Sequence, residues 1–407
     1  MRLVNAVAAA AAVLATLAGF SNSASAQAVA YEGARLIVGD GRVVENATIV
    51  VDGARIVQAG AGVAVPAGAT RVNLAGKTVM PMIIDTHVHL SPTREKLIID
   101  LKRRAYFGVG AVMSMGADLY DMLPIRSETI PGAARYLSAG RGITMPEPGR
   151  MTAPHWINTE AEAVKAVQEL AERKVDLVKI WVDDWRGKYK KLTPEIYGAI
   201  IAEAHKSNLR VTAHLFELED AKGLIKANLD AFAHGVRDRD IDDEFIAMFK
   251  ARPSLVLIPN LPERGVKTDL SWMKPGLPAE EFERLEKANV DSAPAQVFHA
   301  IQARNLKRLS DAGVRIAMGT DGNRPWGPHD EMEDMVLAGM TPAQVIVAAT
   351  RNGAEFLRLA DAGTVEAGKS ADFIVLDANP LDDIKNTRKI SAVYLRGAAV
   401  DRSKPVQ

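Results

Sequence analysis

The sequence predicts an α/β protein: a (β/α)8 barrel carrying a small β-sandwich module formed by both chain ends. Three observations predict it. Through the middle of the chain, short apolar runs alternate with helical patterns, as parallel strands joined by crossover helices do. Eight such runs fall within roughly 280 residues, the size of one (β/α)8 barrel. Both ends instead carry short strands punctuated by Gly and Asp, a hairpin pattern. The expected organisation is a leader at 1–26, a barrel at 81–358, and one β-module assembled from 27–80 and 359–407.

Taken in order, residues 1–26 read as a secretion signal. Arg2 supplies the positive start, an apolar run reaches Phe20, and Ala24-Ser25-Ala26 has the small-x-small cleavage pattern. The run is shorter than the ~20 apolar residues that span a bilayer. A periplasmic or secreted protein with no membrane span after cleavage is therefore expected. Strands follow at 34–38, 47–52 and 55–58. The eight middle runs are 79–86, 109–115, 135–139, 176–181, 210–213, 231–233, 254–259 and 314–318. Between them, 160–174 and 193–207 have amphipathic helical spacing. The second opens on Thr193-Pro194-Glu195 and a further helix opens on Thr341-Pro342-Ala343; in each, Thr caps and Pro takes the first helical position. Strands and turns return at 363–370, 371–377 and 391–397.

Composition excludes several classes of function. Fifty basic and fifty acidic residues in a chain of 407 leave no net field to draw nucleic acid or an anionic membrane. The chain has no cysteine, so a thiol nucleophile is excluded and any metal is held by nitrogen and oxygen. A small-molecule substrate is the expected partner, and a homo-oligomer is compatible with the sequence.

The densest chemistry is Asp85-Thr86-His87-Val88-His89, at the end of the first middle run. Alternate strand residues face the same way, so His87 and His89 point together, at the strand end where such barrels build active sites. Two adjacent imidazoles suit one metal ion, and Asp85, which shares their parity, is placed to orient one of them as a hydrogen-bond acceptor. Other polar groups fall where later runs end: Lys179 in an apolar run, His214, His234 and Asp321. A lysine inside a buried strand is costly unless it is paired or modified.

These motifs resemble the amidohydrolase superfamily, in particular its imidazolonepropionase-like and prolidase-like bacterial branch. They are Ile84-Asp-Thr-His-Val-His89, Val178-Lys179-Ile180, Thr212-Ala-His214, Ala233-His234-Gly235, Gly319-Thr-Asp321-Gly322 and the tail Gly363-Thr-Val-Glu-Ala-Gly-Lys-Ser-Ala-Asp-Phe373. The chain departs at Met82, where the family usually has Gly. The resemblance implies two divalent ions bridged by a carboxylated Lys179. It implies His87, His89 and Asp321 on the first ion and His214 and His234 on the second. Zinc is the expected ion for imidazole and carboxylate ligands. A metal-bridging hydroxide would then attack an amide or peptide carbonyl of a dipeptide or N-acyl amino acid. Asp321 would carry the proton to the leaving nitrogen. A lactone, carbamate or phosphoester is the alternative substrate at the same site. A non-catalytic periplasmic binding protein is the distant alternative.

Four further residues are candidates for touching substrate because they lie in loops on the active-site side: His155, His329, Arg324 and Trp326. Trp185 is a weaker candidate, and Arg237 or Arg324 would be the partner of a substrate carboxylate. His205 and His299 read as structural helix histidines.

Overall fold

The computed structural model describes residues 27–406. The expected leader and its Ala24-Ser25-Ala26 cleavage site lie outside the described residues. No helix among the described residues is long and apolar enough to cross a membrane.

Eight parallel strands position the site. They are β1 (Ile83–Val88), β2 (Val109–Ser114), β3 (Arg135–Ser138), β4 (Val178–Val182), β5 (Val211–Leu215), β6 (Ala231–Ala233), β7 (Val256–Ile258) and β8 (Arg315–Ile316). β1 to β3 form one sheet. β4 to β8, with two short strands at Ile143–Thr144 and His155–Trp156, form another. Backbone hydrogen bonds also cross between the sheets. Asp176 N donates to Ser138 O at 3.0 Å and Thr86 N to Met318 O at 3.0 Å. Residues of alternating parity serve two cores. Val178, Ile180, Val211, Ala213, Phe232 and Leu257 pack under helices. Ile84, Ala111, Met113, Ala231, Val256, Ile258 and Ala317 make a smaller cluster on the other face.

The α-helices longer than four residues are α1 (Arg94–Tyr106), α2 (Glu160–Glu172), α3 (Pro194–Lys206), α4 (Leu218–Lys226), α5 (Asp243–Lys250), α6 (Ala279–Ala288), α7 (Ala293–Asp311), α8 (Gly327–Leu337) and α9 (Pro342–Val347). The Thr-Pro openings act as expected. Thr193 Oγ1 accepts from Ile196 N at the start of α3. Thr341 and Gln344 form a reciprocal capping box at the start of α9, an arrangement that contributes about 1 kcal/mol.

The two chain ends meet in one eight-stranded sheet. Thr78–Pro81 pairs in parallel with Val29–Ile37 and antiparallel with Phe373–Leu376, splicing the C-terminal strands onto the N-terminal ones. This sheet has its own core, with Tyr31, Phe373 and Tyr394 in mutual ring contact at 4.8–5.1 Å between centroids.

Two expectations change. The run 79–86 is not one strand: its first part belongs to the terminal sheet, and the chain enters β1 after Met82. Met82 is buried against Gly110, where any Cβ would approach the Met82 side chain to 2.8 Å. The segment 363–370 is turn rather than strand, because Gly363 and Gly368 both take positive φ (86° and 83°).

Candidate metal centre

His87 and His89 stand at the end of β1, Lys179 and His214 lie within β4 and β5, and His234 and Asp321 follow β6 and β8. The β4–β5 register sets Lys179 beside Thr212 and Trp181 beside His214. Three residues here take positive φ: His234 (112°), Asn260 (45°) and Asp321 (55°). Such strain costs on the order of 1–3 kcal/mol and persists where the surroundings over-determine it.

The side chains converge. His87 Nε2 and His89 Nε2 each lie 3.1 Å from Asp321 Oδ1, and His234 Nε2 lies 3.6 Å from Oδ2. One ligand atom from each of His87, His89 and Asp321 falls within 4.8 Å of the others, the spread of a single cation site. His87 Nδ1 donates to Asn260 Oδ1 at 2.9 Å, so Nε2 keeps its lone pair for the centre. Lys179 Nζ lies 3.4 Å from that Nε2. The lysine is fully buried and has no carboxylate at ion-pair distance among the described residues. Gly116 leaves room for it, since a Cβ there would meet Lys179 Cβ and Cγ at 2.9 Å.

Electrostatics prepares these groups for a cation. Burial pushes the Lys179 amine down to about 7, against the pull of Asp321 and with help from Arg237 and Arg150. Burial likewise brings His87 down to about 3 and His214 to about 4, and holds His234 well below its ordinary value. These imidazoles are neutral at pH 7 and offer lone pairs rather than charge. Burial pushes the Asp321 carboxyl up, but His87 and His234, once protonated in acid, pull it down further, so it lies well below its ordinary value and is ionised at pH 7.

His214 is held differently. Its Nε2 donates to Asp183 Oδ2 at 2.9 Å, and its ring stacks on Trp185 at 5.2 Å between centroids. Trp185 Nε1 donates to Glu147 at 2.9 Å, and the Arg150 guanidinium covers the indole at 3.5 Å. Nδ1 is the atom left for a metal. The ensemble fits divalent ions: neutral imidazoles, an ionised carboxylate and a buried amine lacking an anion, with the His234 Nδ1 also buried and unpartnered.

A cavity of about 520 Å³ opens on this centre, with Asp321, Thr320, Asn260, Arg237, Arg324 and Trp326 among its lining residues. Arg237 Nε is buried without a partner, and the side chain has no ion pair among the described residues. Arg324 is exposed and pairs with Glu263. Trp326 borders the cavity but is nearly buried in a cluster with Tyr106, Phe107 and Met273.

His329 is corrected. It lies wholly inside α8, with Nε2 donating to the Phe107 carbonyl at 2.9 Å and Nδ1 3.0 Å from Thr387 Oγ1, so no ring nitrogen is left for a substrate. His155 is not among the residues lining this cavity; its Nε2 lies 2.9 Å from the Tyr120 hydroxyl. Asp85 does not orient an imidazole either. Its carboxylate accepts from Thr320 and from Arg104. Sequence reasoning missed Asn260, Asp183 and Arg104. The first two follow strand ends, the position that marked the other candidates, whereas nothing in the spacing of α1 singles out Arg104.

Comparison with known proteins agrees with this geometry. The sequence pattern of the Amidohydrolase family matches residues 78–400. The chain is 25% identical to an imidazolonepropionase of Deinococcus radiodurans over 403 residues, covering 89% of this chain and 94% of that one. It is 28% identical to an ochratoxinase of Aspergillus niger, over 70% of this chain and 57% of that one. A crystal structure of a candidate prolidase from Bifidobacterium longum superposes with a TM-score of 0.76 at 27% identity, covering 94% of this chain and 97% of that one.

Proposed function

The chain belongs to the amidohydrolase family and is a hydrolase of C–N bonds, and from that premise we propose that it is an exported, binuclear metal-dependent enzyme cleaving a small N-acyl amino acid or dipeptide. The observation that carries the reading is the convergence of His87 Nε2 and His89 Nε2 on Asp321 Oδ1, with the unpaired Lys179 amine 3.4 Å from His87. The bonds linking β3 to β4 and β8 to β1 support closure of the strands into one (β/α)8 barrel at 81–358. Segments 27–80 and 359–407 then form the β-sandwich module.

His87, His89 and Asp321 would hold one ion, and His214 Nδ1 and His234 the other. Divalent ions there supply a nucleophilic water near neutral pH and polarise a carbonyl. The chain's own groups do the rest. The Lys179 amine, which burial brings down to about 7, would add to carbon dioxide with loss of a proton, and the carbamate would supply anionic oxygen ligands to the centre. Asp321, ionised and in the cavity, accepts the proton of the attacking water and returns it to the leaving nitrogen, which departs poorly as an anion. Arg237 offers a guanidinium to a substrate carboxylate, since no protein anion pairs with it. Relatives named for imidazolonepropionase, ochratoxinase and prolidase activity support a C–N substrate.

The test is metal content and turnover of the purified protein, before and after chelation. The panel is dipeptides, N-acyl amino acids, carbamates, lactones and phosphoesters. Zinc-dependent release of amino acid from the first two classes is expected. Full activity after complete removal of divalent ions overturns the reading, and turnover of lactones or phosphoesters alone reassigns the substrate.

A further inference from the structure

Helix α1 contacts neither the cavity nor the candidate ligands directly, yet it carries a fully buried guanidinium. Arg104 lies in the last turn of α1, with no part of its side chain exposed. Desolvating a guanidinium is costly unless its bonds are well placed. Its partners are all at the centre. Nη1 donates to Asp85 Oδ2 at 3.3 Å, and Nη2 donates to the Gly322 carbonyl at 2.9 Å, with Asn323 Oδ1 at 3.5 Å. Asp85 in turn accepts from Thr320 Oγ1 at 2.8 Å and Thr320 N at 3.1 Å. Four residues earlier, on the same face of α1, Asp100 Oδ2 accepts from Asn323 Nδ2 at 2.9 Å and from Ser91 N at 2.9 Å.

Both sides of Asp321 are therefore gripped, Thr320 before it and Gly322 and Asn323 after it, while its own backbone stays at φ 55°. A short loop in a disfavoured conformation relaxes unless its neighbours hold it. We propose that Arg104, assisted by Asp100, is a positioning residue: it fixes the 320–323 loop so that the Asp321 carboxylate faces His87 and His89. The inference rests on the reading of Asp321 as ligand and proton carrier. Arg104 touches no reacting atom and acts only through Asp85 and the loop carbonyl.

The test compares the full-length wild-type protein with Arg104→Met, Arg104→Lys, Asn323→Ala and Asp321→Ala. The measurements are steady-state kinetics, zinc titration of metal-stripped protein, and hydrogen exchange of the 319–324 amides. Arg104→Met is expected to lower kcat on the order of 100-fold with KM nearly constant, as small misplacements of a catalytic group do. It should also weaken zinc binding by about 10- to 100-fold and speed exchange in 319–324 while distant segments keep their protection. Arg104→Lys is expected to recover part of kcat, because a single ammonium reaches one of the two partners. Asn323→Ala should move the same readouts in the same direction by less. Should Arg104→Met not fold, the Asp85→Asn/Arg104→Met pair, which removes both buried charges, carries the comparison. A folded Arg104→Met or paired variant with wild-type kcat, zinc affinity and loop exchange overturns the proposal. Asp321→Ala separates the two failures. If it stays active, the reading of the centre falls; if it is inactive while Arg104→Met is normal, only the positioning role falls.

Discussion

His87, at the end of β1, and His329, inside α8, are alike by most simple measures. Both are buried, both have a carbonyl partner on one ring nitrogen, and burial holds both at about 3. They differ in the second nitrogen. His87 Nε2 faces Asp321 and the Lys179 amine, whereas the His329 Nδ1 meets the Thr387 hydroxyl. One region ends in groups with unspent bonding capacity, and the other closes on itself to join α8 to the C-terminal segment. Burial and a shifted pKa do not mark a functional histidine; an unspent lone pair aimed at other unspent groups does.

Four substitutions would break or sharpen that contrast, from the largest effect to the smallest. Asp321→Ala removes the group on which the unspent atoms converge, and kcat is expected to fall by about 10²–10⁴-fold, measured on protein whose circular dichroism is unchanged. Arg237→Ala, which removes an unpaired cation of the cavity, should reduce kcat/KM about 10- to 100-fold, the weight of a charge-assisted bond of about 1.5–3 kcal/mol. The loss should be confined to substrates bearing a carboxylate; equal loss on an amide-capped analogue contradicts an anchoring role. His329→Gln should leave kcat within about threefold but cost about 1–3 kcal/mol in urea unfolding, because the Phe107 carbonyl and Thr387 lose a fitted partner. Thr341→Ala, at the α9 cap, should cost about 1 kcal/mol with no change in activity.

His329 also carries a pH signature. Its folded-state pKa is depressed, so the unfolded chain takes up a proton near 6.5 that the folded chain refuses until about 3. Its stabilising contribution is complete above pH 6.5 and is lost as pH falls between those values. The slope of unfolding free energy between pH 6 and 4 should be shallower in His329→Gln by up to about 1.4 kcal/mol per pH unit. An identical slope in both proteins shows that the ring takes up a proton without cost, contrary to its closed environment.

Much of this was legible in the sequence, because strand-end residues report on the site directly. The parity of His87 and His89 follows from the two-residue strand period, and His214, His234 and Asp321 each fall at or shortly after the end of an apolar run. What was not legible depends on contacts between segments distant in sequence. His329 follows Asp321 by only eight residues, so proximity in the chain suggested a pocket role; the turn into α8 carries it away into a closed seam. The break at Met82 arises because one apolar run serves two sheets, which periodicity alone does not reveal. Arg104 and Asn260 act across 218 and 173 residues of sequence, and no local pattern encodes such a pairing.

The most direct test of the central claim is a crystal structure of active, zinc-loaded protein with anomalous scattering recorded at the zinc edge. Two peaks are predicted, one between His87, His89 and Asp321 and the other at His214 and His234, with density for a carboxylated Lys179 between them. A fully active crystal with no divalent ion at these side chains, or with Lys179 unmodified and swung away from both peaks, would contradict it.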